Sequence, residues 1–116
     1  MKIIKSGEHI TRAELREMSE KMFGGMVKAV VDIEQHILAV DAEMHADEEA
    51  RLLEACGSKQ ENLWGINFYP DNAEEGFIAF DSMINVRPRQ GNRSRNVENE
   101  EIRGRIRNIV KEFVVL

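Results

Sequence analysis

Residues 87–95 read RPRQGNRSR, and four of these nine residues are arginines, the side chains best suited to bind an anion. Guanidinium groups present forked N–H donors that match the oxygens of a phosphate or carboxylate two at a time. Gly91 would let backbone N–H groups approach such an anion closely. We therefore predict that this basic loop binds a small anionic ligand. The predicted ligand-binding residues are Arg87, Gln90, Asn92, Arg93, Ser94 and Arg95, with His45, Asp81 and Asn85 as supporting residues.

The glycine spacing of the loop is that of neither a Walker loop nor a dinucleotide fingerprint, so the sequence names no cofactor. The alternative for the arginines is pairing with the chain's own acidic residues. Asp81 and the acidic turn at residues 71–75 are the nearest partners in the sequence. Exposed ion pairs of this kind would hold the loop in place while each contributes little to stability.

Charge is unevenly distributed along the chain, whose net charge is −5. Residues 87–116 hold eight of the sixteen basic residues and four acidic ones, which gives them +4 and leaves −9 on residues 1–86. Such a division favours either a local basic patch or complementary charged faces that pair between chains. The second interpretation predicts a homo-oligomeric interaction or scaffold domain. Nucleic acid is a disfavoured partner, although it stays open, because a nucleic-acid-binding domain is usually basic overall.

Asp41, Glu43, His45 and Asp47 alternate, so an extended strand would place them on one side. Carboxylates and an imidazole can ligate a divalent ion. Neighbouring side chains on one face of a strand lie about 7 Å apart, however, so these four do not converge on one ion by themselves. A solvated strand face is therefore the preferred interpretation, and no metal site is predicted. A metal-dependent hydrolase that uses His45, Asp47 and Asp81 is the least favoured function.

Hydrophobic periodicity and capping signals indicate the elements that position these residues. Alternation predicts strands at residues 1–5, 26–34, 37–47, 62–70 and 77–86, and helical spacing predicts helices from Thr11 to Phe23, at 47–57, and from Asn99 to Phe113. Thr11 with Glu14 forms a capping box, and Asp47 and Asn99 are the predicted N-caps of the later helices. His36 is expected at positive φ in the turn between the second and third strands.

The order β-α-β-β-α-β-β-α predicts one α+β domain over residues 1–116. We expect two layers, with about three helices covering one face of a mainly antiparallel sheet of four to five strands. In the strand at 62–70, Trp64 and Phe68 are expected in the core, whereas Asn67 and Tyr69 face the other way and could line a recess.

Composition narrows the class of protein. No apolar run approaches the roughly 20 residues that span a bilayer, and the N-terminal apolar stretch is short for a signal peptide. The single Cys56 cannot form an internal disulfide, so we expect a cytoplasmic protein that does not bind membranes.

Several segments, in this order along the chain, carry a resemblance to a known family. Among them are MVKAVVDIE, GSKQENLWGINFYP, FDSMINVRPRQGNRSR and EIRGRIRNIV. From about Ile10 to Phe113 the chain resembles a family of small archaeal and bacterial proteins described as a domain of unknown function. The family pattern has a serine where this chain has Arg89 and a glycine where it has Asn96, so neither residue can be essential to a shared site. The resemblance implies no activity, cofactor or catalytic residue.

Overall fold

Within the described residues, the fold has seven strands and four helices. The computed structural model describes residues 1–22 and 24–116. The strands are β1 (Lys2–Ile4), β2 (Ile10–Thr11), β3 (Val27–Asp32), β4 (Ile37–Val40), β5 (Leu63–Phe68), β6 (Ile78–Ala79) and β7 (Val114–Val115), and the helices are α1 (Arg12–Met22), α2 (His45–Ala55), α3 (Glu74–Phe77) and α4 (Glu100–Phe113). Five strands make an antiparallel sheet in the order β1-β4-β3-β5-β6, while β2 and β7 form a separate parallel pair. The α+β class and the five-stranded antiparallel sheet are confirmed.

Both faces of the sheet are buried, which corrects the expectation that all helices cover one face. Residues such as Ala29 and Ile66 pack in one core with α1 and α4. On the opposite face, Val30 and Ala39 pack against Leu52 of α2. The reason is visible in β3 and β4, whose residues are apolar on both faces over most of their length.

Local capping signals give the starts of α1 and α4 correctly. The Thr11 hydroxyl accepts from the backbone N–H of Glu14 at 3.1 Å, and the Glu14 carboxylate accepts from the backbone N–H of Thr11 at 3.2 Å. The Asn99 side chain accepts from two N–H groups of the first turn of α4. His36 has φ 55°, as expected. The predicted end of the first helix, Phe23, lies outside the described residues.

The strand predicted at residues 37–47 is wrong beyond Val40. Asp41 has φ 69°, a left-handed conformation that ends the strand and turns the chain. Helix α2 then begins at His45 with Met44 at the N-cap, so Asp47 lies in the first turn and is not the cap. Alternation of apolar and polar residues continues past Val40, but the backbone does not stay extended.

The strand predicted at residues 77–86 is also mostly wrong. Only Ile78 and Ala79 pair with β5, and Met83–Asn85 form a 3₁₀ turn. Ser82 takes its backbone partner elsewhere, because its N–H donates to the carbonyl of Arg95 at 3.0 Å. The segment therefore folds over β5 instead of extending beside it.

Gly65 is required where this segment crosses β5. A Cβ at position 65 would lie 2.5 Å from Ser82 Cβ and 3.1 Å from Ile84 Cγ1. Contacts this short force the packed segment to move. The residues around position 65 are buried on both sides, so there is little space for that movement.

We predict that Gly65→Ala lowers the free energy of unfolding by about 2 kcal/mol, because overpacking a close contact costs about 1–3 kcal/mol. Chemical denaturation monitored by circular dichroism measures it. Gly104→Ala is the matched control, since a Cβ there meets nothing within 4 Å. It should raise the stability by up to about 1 kcal/mol through helix propensity. Equal stability of Gly65→Ala and the native chain would contradict the close contact.

Candidate functional site

The basic loop is closed by its own backbone. Arg87 and Asn92 exchange two main-chain hydrogen bonds, at 2.7 and 3.1 Å, around a 3₁₀ turn at Pro88–Gln90. Gly91 follows this turn at φ 79°, a conformation that glycine adopts without strain. The Gln90 side chain donates to the carbonyl of Glu61 at 3.1 Å. The loop is therefore a folded turn anchored to the rest of the chain.

Arg87 points into the protein. Its side chain is 9% exposed, and its guanidinium donates to the carbonyls of Ile84 and Leu63 and lies 3.5 Å from Glu49 Oε2. It also stacks 4.8 Å from the centre of the Trp64 ring. Burial lowers the pKa of the guanidinium, and the nearby Glu49 opposes that shift. These contacts assign Arg87 to the internal structure of the chain.

Two buried asparagines hold the segments on either side of the loop. The Asn85 side chain bonds both the N–H and the carbonyl of Gly65, at 2.8 and 2.9 Å, and donates to the carbonyl of Arg95 at 3.0 Å. The Asn92 amide donates to three carbonyls, and its oxygen accepts from the N–H of Glu98. Both side chains use their hydrogen-bonding capacity within the chain.

The anion-binding groups predicted for the loop hold a carboxylate of the same chain. Glu98 Oε2 accepts from the backbone N–H groups of Arg93 and Ser94, at 2.9 and 2.8 Å, and from the Ser94 hydroxyl at 2.7 Å. The Ser94 hydroxyl and these N–H groups lower the pKa of Glu98. The carboxylate of Glu98 therefore occupies these donors of the loop.

Arg95 differs from its neighbours because its side chain faces a cleft of about 290 Å³ on the α2 side of the sheet. The cleft has a polar lining and an apolar margin of methionines 26, 44 and 83. Five chain segments contribute the polar lining, which comprises Lys28, His45, Asn67, Tyr69, Asp81, Ser82 and Arg95. His45, Asp81 and an arginine of the basic loop, which the sequence could not bring together by spacing, therefore share one cleft.

The imidazole of His45 is neutral and fixed. Its Nε2 lies 2.8 Å from the carbonyl oxygen of Ile66, which can only accept, so Nε2 carries the proton. Desolvation by burial lowers the pKa of His45, and the hydrogen bond to Ile66 opposes that change. His45 is the first residue of α2, so the position of the helix on the sheet determines that of the ring.

The polar groups at the cleft mouth are partly engaged. Asn67 Nδ2 donates to the carbonyl of Asp81 at 3.0 Å, whereas Asn67 Oδ1 is buried without a well-formed hydrogen bond in residues 1–22 and 24–116, although the Asn67 side chain lies close enough to His45 to oppose the fall in its pKa. Arg95 Nε lies 2.7 Å from Asp81 Oδ1, and both side chains are more than half exposed. Over the same residues, the terminal nitrogens of Arg95 make no hydrogen bond.

The structure brings some of the predicted site residues together at the cleft and places the others away from it. His45, Asp81 and Arg95 line the cleft, and Asn67 and Tyr69, expected at a recess, line it too. Within the described parts of the chain, no three His, Cys, Asp or Glu side chains are placed to hold one metal ion. Lys28 was missed by the sequence analysis, because a single lysine on the polar side of β3 resembles any solvated residue.

Glu48 lies beside this region and is wholly buried in α2. Neither of its carboxyl oxygens has a well-formed hydrogen bond among the described residues, although the backbone N–H of Ala42 lies close enough to oppose the rise in its pKa. Burial raises the pKa of Glu48 from 4.5 to about 10, and nearby Asp41 adds to the rise. The carboxyl is therefore protonated in the folded protein at neutral pH. Sequence analysis missed it because an acidic residue in the first turn of a helix has an adequate explanation in the helix dipole.

The raised pKa predicts that stability falls as pH rises. Between pH 4.5 and about 10 the folded chain binds one proton that the unfolded chain has released. The contribution is fully present below the unfolded pKa and is lost progressively up to the folded pKa, at about 1.4 kcal/mol per pH unit.

We therefore expect Glu48→Gln to be more stable than the native chain by on the order of 5 kcal/mol at pH 8, with a flatter pH dependence, because the native chain loses about 1.4 kcal/mol for each pH unit above 4.5. Urea unfolding at pH 5, 6.5 and 8 measures both quantities. Glu54→Gln is the control, because Glu54 is an exposed residue of the same helix. Parallel pH profiles for the native chain and Glu48→Gln would contradict the buried neutral carboxyl.

None of the helices described is long and apolar enough to cross a membrane. No curated protein and no solved structure matches the chain. A family profile described as "Protein of unknown function (DUF5674)" matches residues 2–113, nearly the whole chain. The chain therefore belongs to this family of proteins of unknown function.

Proposed function

We propose that the protein is a binding module for a small anionic ligand, and that the cleft between α2, β5 and Arg95 is its binding site. The convergence of polar side chains from separate segments on this one cleft carries the proposal. A functional pocket typically combines apolar walls with a few convergent polar groups, which is the composition of this lining.

The charges of the cleft favour an anion. Lys28 and Arg95 carry positive charge, Asp81 carries negative charge, and His45 is neutral because its pKa is lowered. The terminal nitrogens of Arg95 can bind two oxygens of a phosphate or carboxylate while Nε keeps its bond to Asp81. Asp81 thereby orients the Arg95 guanidinium and leaves its two terminal nitrogens to face the ligand.

The remaining groups narrow the class of ligand. Asn67 Oδ1 is a buried acceptor, and leaving such a group unpaired costs about 1–3 kcal/mol. A ligand with an O–H or N–H donor beside its anionic group would satisfy it. A cleft of about 290 Å³ is at the small end of ligand pockets, so a small hydroxy acid or a phosphate ester fits better than a long polymer.

The proposal includes a cytoplasmic location in a prokaryotic cell. Its support is the single cysteine, which is free and half-buried, and the sequence resemblance to archaeal and bacterial proteins.

A titration of the ¹⁵N-labelled protein, with inorganic phosphate, glycolate, a nucleoside monophosphate and a short RNA as separate probes, tests the proposal. We expect at least one small anion to shift the amide signals of residues 45, 67, 81–83 and 95 below millimolar concentration. Arg95→Gln should weaken that binding about tenfold or more, because a hydrogen bond to a charged group contributes about 1.5–3 kcal/mol.

Arg89→Gln and Arg93→Gln are the matched controls, since both remove the same charge from exposed positions outside the cleft. They should leave the affinity within about twofold of the native value, because exposed charges contribute little. The proposal fails if no small anion shifts the cleft signals below millimolar concentration. It also fails if the controls weaken binding as much as Arg95→Gln does.

A further inference from the structure

A second, larger groove lies at the edge of the sheet, away from the cleft. It has a volume of about 640 Å³ and runs between the α3–β6 segment and the C-terminal half of α4. Its floor is apolar and consists of Phe77, Ile78, Val110 and Val114. Leu116, which is 62% exposed, lies at its margin. Strand β6, which contributes Ile78, is an end strand of the sheet.

The two sides of this groove carry opposite charge. Glu74 and Glu75 lie on the α3 side, and Arg107 and Lys111 lie on the α4 side. Over residues 1–22 and 24–116, none of these four residues forms an ion pair within 4 Å, and the Arg107 guanidinium lies 5.1 Å from the centre of the Phe80 ring. The charges therefore face each other across an apolar floor without neutralising each other.

We propose that this groove is the interface through which two copies of the chain form a dimer. In a two-fold interface every contact occurs twice, with the partners exchanged. One acidic side and one basic side on the same patch are self-complementary under that symmetry. The acidic side of each copy would face the basic side of the other, and the two apolar floors would be buried between them.

Other occupants fit these charges less well. An acidic partner, including nucleic acid, would be attracted to Arg107 and Lys111 but repelled by Glu74 and Glu75. A basic peptide has the converse difficulty. A second copy satisfies both sides at once. The sites of the dimer and of the ligand are separate, because no residue lines both the groove and the cleft.

Sedimentation velocity over a range of protein concentrations tests this proposal. We expect the native chain to show a monomer–dimer equilibrium that shifts towards monomer as salt rises, because exposed charges are screened. The first variant is Glu74→Lys with Glu75→Lys, which makes both sides basic. The second is Arg107→Glu with Lys111→Glu, which makes both sides acidic. Each alone should dimerise at least about tenfold more weakly, because like charges then face each other.

Mixing the two variants is the decisive measurement. Every side of one variant then opposes a side of unlike charge on the other, so an equimolar mixture should recover dimer. The control is Glu17→Lys with Glu54→Lys, two exposed acidic residues outside the groove, and it should dimerise like the native chain. Circular dichroism establishes that each variant is folded. A monomeric native chain, or a mixture that stays monomeric, would overturn the proposal, as would a dimer that neither charge reversal weakens.

Discussion

The outer edge of β5 is the constraint on which the rest of this structure depends. β5 pairs with β3 along its whole length, but β6 pairs only with Asn67 and Phe68. The buried N–H and carbonyl groups before Asn67 need other partners, because an unsatisfied buried backbone group is costly. Side chains supply them. Asn85 bonds Gly65 as another peptide group would, and Arg87 donates to the carbonyl of Leu63.

Completing that edge also positions Arg95. Its carbonyl accepts from the N–H of Ser82 and from the Asn85 side chain, both at 3.0 Å, so the backbone at position 95 is held by the residues that cover β5. Its side chain is left at the cleft. Arg87 and Arg95 are eight residues apart in one basic run, yet one is internal and the other faces a cavity. The two arginines differ in burial because the outer edge of β5 lacks strand partners before Asn67, and Arg87 supplies one of the missing hydrogen bonds.

Sequence reasoning succeeded where the determinants are local. The capping box at Thr11 and the turn at His36 depend on neighbours within a few residues, and the fold class follows from periodicity. It failed at the local turn that Asp41 makes and at the predicted Asp47 cap, and it failed where a distant contact determines the path of the backbone. Alternation persists past Val40 and past Ala79, but Asp41 turns the chain, and Ser82 bonds a carbonyl thirteen residues away. The candidate site could be anticipated by residue type, since His45, Asp81 and Arg95 were named, but no spacing rule could bring them into one cleft.

Other arginines of the basic segment 87–116 also bind backbone groups of the chain. Several basic residues of segment 87–116 bind carbonyl oxygens: Arg87 with Leu63, Arg103 with Val97, and Arg105 with Ile33. The same segment also pairs with acidic residues of the first 86: Arg87 with Glu49, Arg95 with Asp81 and Arg105 with Glu34. The two proposed interaction sites use charges outside these bonds: at the cleft the terminal nitrogens of Arg95 make no hydrogen bond within residues 1–22 and 24–116, and along the groove two acidic residues lie opposite two basic ones.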